Sequence, residues 1–229
     1  MEKGKAIDRY VELTFVEPVL GTWPSNENVA RDFIASKAPD AATIKDEIAA
    51  IGADAVADKG MTVFPRVDGT PVFYDYQIKG FFKDTCGALS REKHTKSSGL
   101  KAYKKVIDGM IFPFPRTIEI SVNGEIGECQ RPLRAQTAQG ERVSLANSEE
   151  IPAGSKIRFG VHLIDENHEA LLKEWLDNGV YRGLGQWRNS GRGRFVYTMM
   201  DKDGNVLSGT EDTFQKFTQK QSFFPTRKS

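Results

Sequence analysis

The segment Gly183-Leu-Gly-Gln-Trp-Arg-Asn-Ser-Gly-Arg-Gly-Arg194 contains two Gly-X-Gly steps separated by five residues. Three arginines, Arg188, Arg192 and Arg194, lie in it, and it contains no acidic residue. Glycine lets the main chain approach a ligand and point N–H groups at it, while arginine adds bidentate charge to the same oxygens. The segment is therefore typical of a cradle for a phosphate chain, although a glycine-rich turn can also be only a tight connection.

Charge is unevenly distributed along the 229 residues, although the formal net charge is only +1. Residues 79–105 contain eight Lys or Arg against two acids, whereas residues 40–58 contain five acids against one lysine. Together with the four arginines in residues 182–194, this pattern indicates a basic surface for a phosphate chain and an acidic appendage elsewhere. Any one of these runs is also typical of an ordinary solvated face.

The composition is that of a globular protein, with 39% hydrophobic and 28% charged residues, and the length favours one elaborated domain, 1–229. No apolar run approaches the roughly 18 residues of a membrane helix, and no apolar signal core follows the charged N-terminus. We therefore expect no membrane contact and a cytoplasmic location. Cys86 and Cys129 lie in unrelated contexts, so we expect reduced thiols, no metal site and no cofactor.

Alternating apolar and polar residues predict four strands, at 10–16, 118–122, 157–163 and 195–199. Apolar residues at helical spacing predict an amphipathic helix over about 77–91 and a second helix that begins after Asp165 or Asn167. Without insertions the order is strand, helix, strand, strand, helix, strand. The predicted fold class is therefore α+β, with a ferredoxin-like or RRM-like βαββαβ core.

The remaining segments interrupt or follow this core. Residues 24–62 are predicted to form a long acidic helical insertion after the first strand, and residues 210–229 a polar tail. Residues 123–150 are polar and basic without a lasting period, which is typical of a long functional loop or hairpin. The core elements then occupy 10–20, 72–122 and 150–209.

Four segments follow one another in the order of the motifs of a known family. Tyr76-Gln-Ile-Lys-Gly-Phe-Phe-Lys83 is similar to a Ser-Leu-Lys-Gly helix start, and Ile151-Pro-Ala-Gly154 to a Val-Pro-Ala-Gly turn. Residues 131–149 stand where that family has a thumb hairpin, and residues 183–193 fit its glycine-rich loop. On these segments the chain resembles the RAMP superfamily of CRISPR-associated proteins, in particular the backbone subunit that coats guide RNA in type III effector complexes.

The resemblance implies roles at the matching positions. Lys79 and Lys83 would contact guide phosphates, and Arg131 and Arg134 would belong to a thumb that reaches between nucleotides or onto the next subunit. The nucleic-acid-binding residues that we predict in the loop are Gly183, Gly185, Trp187, Arg188, Gly191, Arg192, Gly193 and Arg194. Trp187 could stack on a base or on an adjacent subunit, or only pack against the protein.

Three functions remain open. We predict a non-catalytic protein that binds single-stranded RNA, with single-stranded DNA as the alternative, and multimerises along the strand as a homo-oligomer or as a subunit of a ribonucleoprotein complex. The second function is a metal-dependent endoribonuclease of the same superfamily, although none of the three histidines matches an N-terminal general base. The third is a stand-alone or virus-borne relative whose acidic insertion docks onto, or inhibits, a host CRISPR complex.

Overall fold

A computed structural model describes residues 4–25, 61–137 and 140–210, and for the strand residues between 132 and 145 it describes the backbone alone. Most of the predicted insertion and of the predicted tail, residues 26–60 and 211–229, therefore lies outside the described residues. In the part of the chain that is described, no helix is both long enough and apolar enough to cross a membrane.

The strands are β1 (Ile7–Phe15), β2 (Val19–Leu20), β3 (Trp23–Pro24), β4 (Thr62–Val63), β5 (Arg66–Val67), β6 (Thr70–Tyr74), β7 (Ile111–Phe114), β8 (Thr117–Ser121), β9 (Gly127–Thr137), β10 (Gly140–Ile151), β11 (Lys156–Leu163), β12 (Phe195–Met200) and β13 (Val206–Gly209). The helices are α1 (Asp75–Leu89), α2 (Tyr103–Met110), α3 (Glu169–Asp177) and α4 (Gly179–Arg182). Short 3₁₀ turns occupy Lys96–Gly99, Glu166–His168 and Arg188–Ser190.

Four strands of the main sheet lie in the order β12-β1-β11-β8, each antiparallel to its neighbour. Strands β1 and β8, which are connected through α1, are separated by β11, and β11 and β12, which are connected through α3, are separated by β1. This interleaving of two βαβ units is the split βαβ arrangement. The predicted α+β class with a ferredoxin-like βαββαβ core is confirmed.

One face of this sheet carries the core and the helices. In β1 the side chains of Val11, Leu13 and Phe15 are at most 1% exposed, while the residues between them face the other side. The alternation seen in the sequence therefore reflects a strand with one buried face. The helices add their own aromatic residues to the core, and the rings of Phe82 in α1 and Trp175 in α3 lie 5.5 Å apart.

A second sheet joins the long hairpin of β9 and β10 to the start of the chain. Its order is β2-β10-β4-β3. Strands β2 and β4 pair with residues 148–151 of β10, and β9 pairs with the opposite edge of β10. The expected loop at 123–150 thus contains a hairpin whose base pairs with short strands on either side of the insertion. The chain leaves the described part at Ser25 and returns at Met61, and the Ser25 N–H donates to the Met61 carbonyl at 2.9 Å. Both ends of the insertion therefore meet beside the hairpin base.

A buried polar network fastens the 3₁₀ turn Lys96–Gly99 to α3. The Glu174 carboxylate accepts hydrogen bonds from the backbone N–H groups of Lys96 and Ser97 and from the Ser97 hydroxyl. The same hydroxyl accepts the indole N–H of Trp175 at 3.0 Å. Because Ser97 and Trp175 are fully buried, water cannot replace either partner.

We expect Ser97→Ala to lower the free energy of unfolding by about 1–3 kcal/mol, because it leaves the buried indole N–H without an acceptor. Ser121 at the end of β8 is exposed and provides the matched control, so Ser121→Ala should cost less than about 0.5 kcal/mol. Urea unfolding of both variants measures the difference. Equal losses would contradict a structural role for the Ser97 hydroxyl.

Candidate nucleic-acid interface

The glycine-rich loop closes on its own backbone. The Leu184 N–H donates to the Gly193 carbonyl at 2.9 Å, and the Gly193 N–H donates to the Pro18 carbonyl at 2.9 Å. The N–H groups of Gly183 and Gly191 also donate to backbone carbonyls, of Gly179 and Arg188. Three of the four glycine N–H groups predicted to face a phosphate are therefore already hydrogen-bonded within the protein. A phosphate at this loop would have to be contacted mainly by side chains.

The glycines allow the two ends of the loop, near residues 184 and 193, to pack backbone against backbone. Gly183 and Gly193 have φ values of 70° and 69°, in the left-handed region that favours glycine. A Cβ at Gly193 would stand 1.8 Å from the Leu184 carbonyl oxygen, and one at Gly183 would stand 2.6 Å from the Gly193 carbonyl carbon. Gly185 packs in the same way against Leu20. The Gly-X-Gly steps thus bring the loop against itself and against β2.

Arg188 projects from this loop onto α1. Its guanidinium contacts the Asp84 carboxylate at 2.8 Å, and Arg182 donates twice to the same carboxylate, at 2.6 and 3.0 Å. The hydrogen bond from Arg182 is the main cause that lowers the pKa of Asp84, and the charge of Arg188 adds to it against the effect of burial. One carboxylate therefore holds two guanidinium groups, and the site has one excess positive charge.

The two lysines predicted on the first helix lie along the edge of α1 that faces α2. Lys83 forms an ion pair with Asp108 at 2.6 Å. The Lys79 ammonium donates to the Asp108 carbonyl at 3.2 Å and lies 4.6 Å from the centre of the Phe112 ring. Burial lowers the pKa of Lys79. Both lysines are therefore only partly accessible, and contact with a strand remains a prediction for each.

The base of the β9–β10 hairpin packs against the glycine-rich loop. Arg131, which is 6% exposed, donates to the Gln186 side chain at 2.8 Å, and its guanidinium lies 4.7 Å from the centre of the Trp187 ring. Arg192 pairs with Glu150 at 2.8 Å. The sequence-predicted hairpin and loop are therefore adjacent. Trp187 remains 40% exposed, so packing against Arg131 leaves part of its ring accessible.

The two remaining predicted arginines, Arg194 and Arg134, have no described ion pair at this site. The Arg194 carbonyl accepts hydrogen bonds from the N–H groups of Val16 and Glu17 and so joins the start of β12 to the end of β1. Its guanidinium would lie 3.3 Å from a Cβ at Gly191. The backbone of Arg134 lies in β9, and its side chain lies outside the described residues.

The structure thus brings the loop, the hairpin base and one face of α1 together, with Lys79 and Lys83 on the adjacent edge of that helix. Sequence reasoning missed Asp84 and left Arg182 out of the predicted site, although Arg182 belongs to the run of four arginines without an acid. In the described ranges, no three His, Cys, Asp or Glu side chains are grouped so that they could hold a metal ion.

We expect Gly193→Ala to destabilise the protein far more than Gly204→Ala. Both glycines have positive φ, of 69° and 84°, but a Cβ at Gly204 would meet no atom within 4 Å. Gly204→Ala should therefore cost only the left-handed strain of about 1–2 kcal/mol, whereas Gly193→Ala should cost at least about 3 kcal/mol. Thermal and urea unfolding measure both losses, and similar values would mean that the loop can move away from itself.

We expect the Asp84 ion pairs to stabilise the fold only above acidic pH. Because the pKa of Asp84 is lower in the folded protein than its ordinary value of 3.8, this stabilisation is complete above that value and is lost as pH falls through the folded pKa. Asp84→Asn should cost about 1 kcal/mol at neutral pH, and its difference from the wild type should start to shrink near pH 4.

Urea unfolding of wild type and Asp84→Asn across this pH range measures that difference. Glu92→Gln, at an exposed position, is the control and should change stability little at any pH. A difference between wild type and Asp84→Asn that stays constant down to pH 3 would contradict the ion-pair contribution.

Comparison with known proteins gives no match to a family model and no similar curated sequence. Two similar solved chains are both from CRISPR complexes. One, from the type III-B Cmr-beta complex bound to cognate target RNA, is 11% identical with a TM-score of 0.49 over 90% of this chain. The other, from a type IV-B CRISPR complex, is 11% identical with a TM-score of 0.43 over 88% of this chain and 94% of its own length. The present chain spans about 60% of the first chain.

Proposed function

We propose that this protein binds single-stranded nucleic acid, RNA in the first place, without cleaving it, and that it multimerises along the strand as a CRISPR effector backbone subunit does. The observation that carries the proposal is the sharing of Asp84 by Arg182 and Arg188 at the junction of α1 and the glycine-rich loop. This junction holds excess positive charge in a fixed place. Arg131 of the hairpin and Arg192 of the glycine-rich loop add two further guanidinium groups where the hairpin base packs against the loop.

The balance of charges supports a polyanionic ligand. Arg182 and Arg188 share the carboxylate of Asp84, and Arg192 pairs with that of Glu150. The contacts of Arg131 described above are with the neutral side chains of Gln186 and Trp187. A guanidinium that has one carboxylate partner still has N–H groups to donate to a phosphate. Because the ion pairs already orient these side chains, less conformational entropy is lost when a strand binds.

The hairpin supports assembly along the strand. Residues 140–147 of β10 pair with β9 alone, beyond the last pairing with β4 at Ser148. At about 3.3 Å per residue, this part extends about 25 Å from the second sheet. A two-stranded projection of that length can reach a neighbouring subunit on the same strand. The preference for RNA rests on the sequence resemblance, since the charges described here would accept either nucleic acid.

We expect the purified protein to bind a labelled single-stranded RNA of about 30 nucleotides, which is longer than one binding site. Affinity should fall steeply between about 50 and 200 mM salt, because each neutralised phosphate releases counterions. The double variant Lys83→Gln/Arg188→Gln should bind more weakly and lower the magnitude of the salt slope by about 1.4, or about 0.7 for each lost contact. Fluorescence anisotropy at several salt concentrations measures both quantities.

Lys202→Gln is the matched control. Lys202 is exposed in the turn after β12, whereas the glycine-rich loop precedes β12, so the two ends of this six-residue strand are about 20 Å apart. This variant should keep the wild-type salt slope. The proposal fails if no strand binds at low salt, or if the double variant binds like the wild type.

The same preparation distinguishes the other two functions. Cuts at regular spacing in the labelled RNA with Mg²⁺ would identify an endoribonuclease. A defined protein partner that survives nuclease treatment, combined with no affinity for either strand, would identify a docking protein. Stepwise band shifts on RNAs of increasing length would support assembly along the strand.

A further inference from the structure

A cleft of about 420 Å³ lies between the start of α1, the short strand β3 and the glycine-rich loop. Trp23 and Tyr76 line it together with Phe81 and Leu184, and Arg188 lies at the same cleft. Its volume falls within the usual range of small-ligand pockets. An aromatic lining with few polar groups is typical of sites for flat organic ligands.

Tyr76 is fixed in its place by a stack of side chains. Its ring lies parallel to that of Tyr74, with 5.4 Å between ring centres and 12° between planes. The Arg116 guanidinium lies 5.4 Å from the centre of the Tyr76 ring and pairs with Asp75 at 2.6 Å. Tyr76 nevertheless remains 44% exposed. An aromatic surface that is held rigidly and still accessible is suited to stacking on a ligand.

The helix face beside Tyr76 is bare. Gly80 lies one helical turn further on, is exposed, and a Cβ there would meet no atom within 4 Å. In the lining of the same cleft, the Gln77 side chain donates a hydrogen bond to the Thr22 hydroxyl at 2.9 Å and accepts one from the Tyr74 N–H at 2.8 Å. These polar groups are therefore satisfied within the protein, and the cleft presents mainly ring surfaces and the guanidinium of Arg188.

Positive charge follows the aromatic surface along the same helix. Lys83 lies seven residues after Tyr76 and thus about 10 Å further along the axis. Arg188 is closer to the aromatic rings than Lys83 is, because Arg188 lines the cleft itself while it pairs with Asp84. A single strand laid along this stripe can place a base against the rings and its phosphates against the cations. A neutral flat ligand without a phosphate chain would leave that charge unused.

We propose that the cleft receives one nucleobase of the bound single strand and that Tyr76 and Trp23 contact this base while Arg188 contacts the adjoining phosphate. This inference rests on the proposed function, since it names the part of the strand that enters the cleft. The base contact is one of stacking and shape, so it accepts more than one base type.

The test compares two probes that share the same phosphates. One is a single-stranded oligouridylate of about 12 nucleotides, within the usual range of a binding site, and the other is the abasic ribose-phosphate chain of the same length. Tyr76→Ala should weaken binding of oligouridylate about tenfold, which is the size of one base–aromatic stack, and should leave binding of the abasic chain unchanged. Tyr76→Phe keeps the ring and should bind both probes like the wild type.

Tyr10→Ala is the matched control, because Tyr10 is 38% exposed but lies in β1 on the sheet face away from the helices. It should change neither affinity. Unchanged affinity of Tyr76→Ala for the abasic chain also reports that the variant is folded.

Each remaining outcome decides against one proposal. Equal affinity of wild type and Tyr76→Ala for oligouridylate overturns the base contact and leaves the proposed function intact. An equal loss for both probes assigns Tyr76 a structural role and also overturns the inference. Failure of the wild type to bind either probe at low salt overturns the proposed function itself.

Discussion

The crossing of the glycine-rich loop over itself is the constraint on which the candidate surface depends. Leu184 donates to the carbonyl of Gly193, and Gly193 donates to that of Pro18. A side chain at position 193 would overlap the backbone of Leu184, so this crossing requires glycine. It holds the end of α4 and the start of β12 against the connection between β1 and β2. In this way it places Arg188 beside α1 and Arg192 beside the hairpin.

The basic groups around this crossing are held by partners rather than left free. Asp84 orients two arginines, Glu150 orients Arg192, and the Trp187 ring covers the guanidinium of Arg131. The surface therefore presents less net charge than its arginines alone suggest, but it presents that charge in fixed directions. A fixed excess of positive charge beside an aromatic cleft suits the proposed ligand, a single strand that combines phosphates with flat bases.

Much of the fold could be predicted, because strands and helices with one buried face leave a periodic pattern. Strands β1, β8, β11 and β12 and helices α1 and α3 follow from that pattern within a few residues. The second sheet could not be predicted, since β2, β3 and β4 have two residues each and carry no period. The hairpin of β5 and β6 did have a sequence signal, the dipeptide Asp68-Gly69, which is typical of a two-residue hairpin turn. Both residues have positive φ in the structure, as that turn requires.

The sequence by itself determined the order of the core elements and the presence of glycines and arginines in one loop, because both depend on neighbouring residues. The role of those glycines in close packing, and the choice of partner for each cation, were decided only by the tertiary structure. Asp84 is 98 residues from Arg182 and 104 from Arg188, and Arg131 is 55 from Gln186. Contacts over such separations leave no local pattern, because they form only when the sheet brings distant segments together.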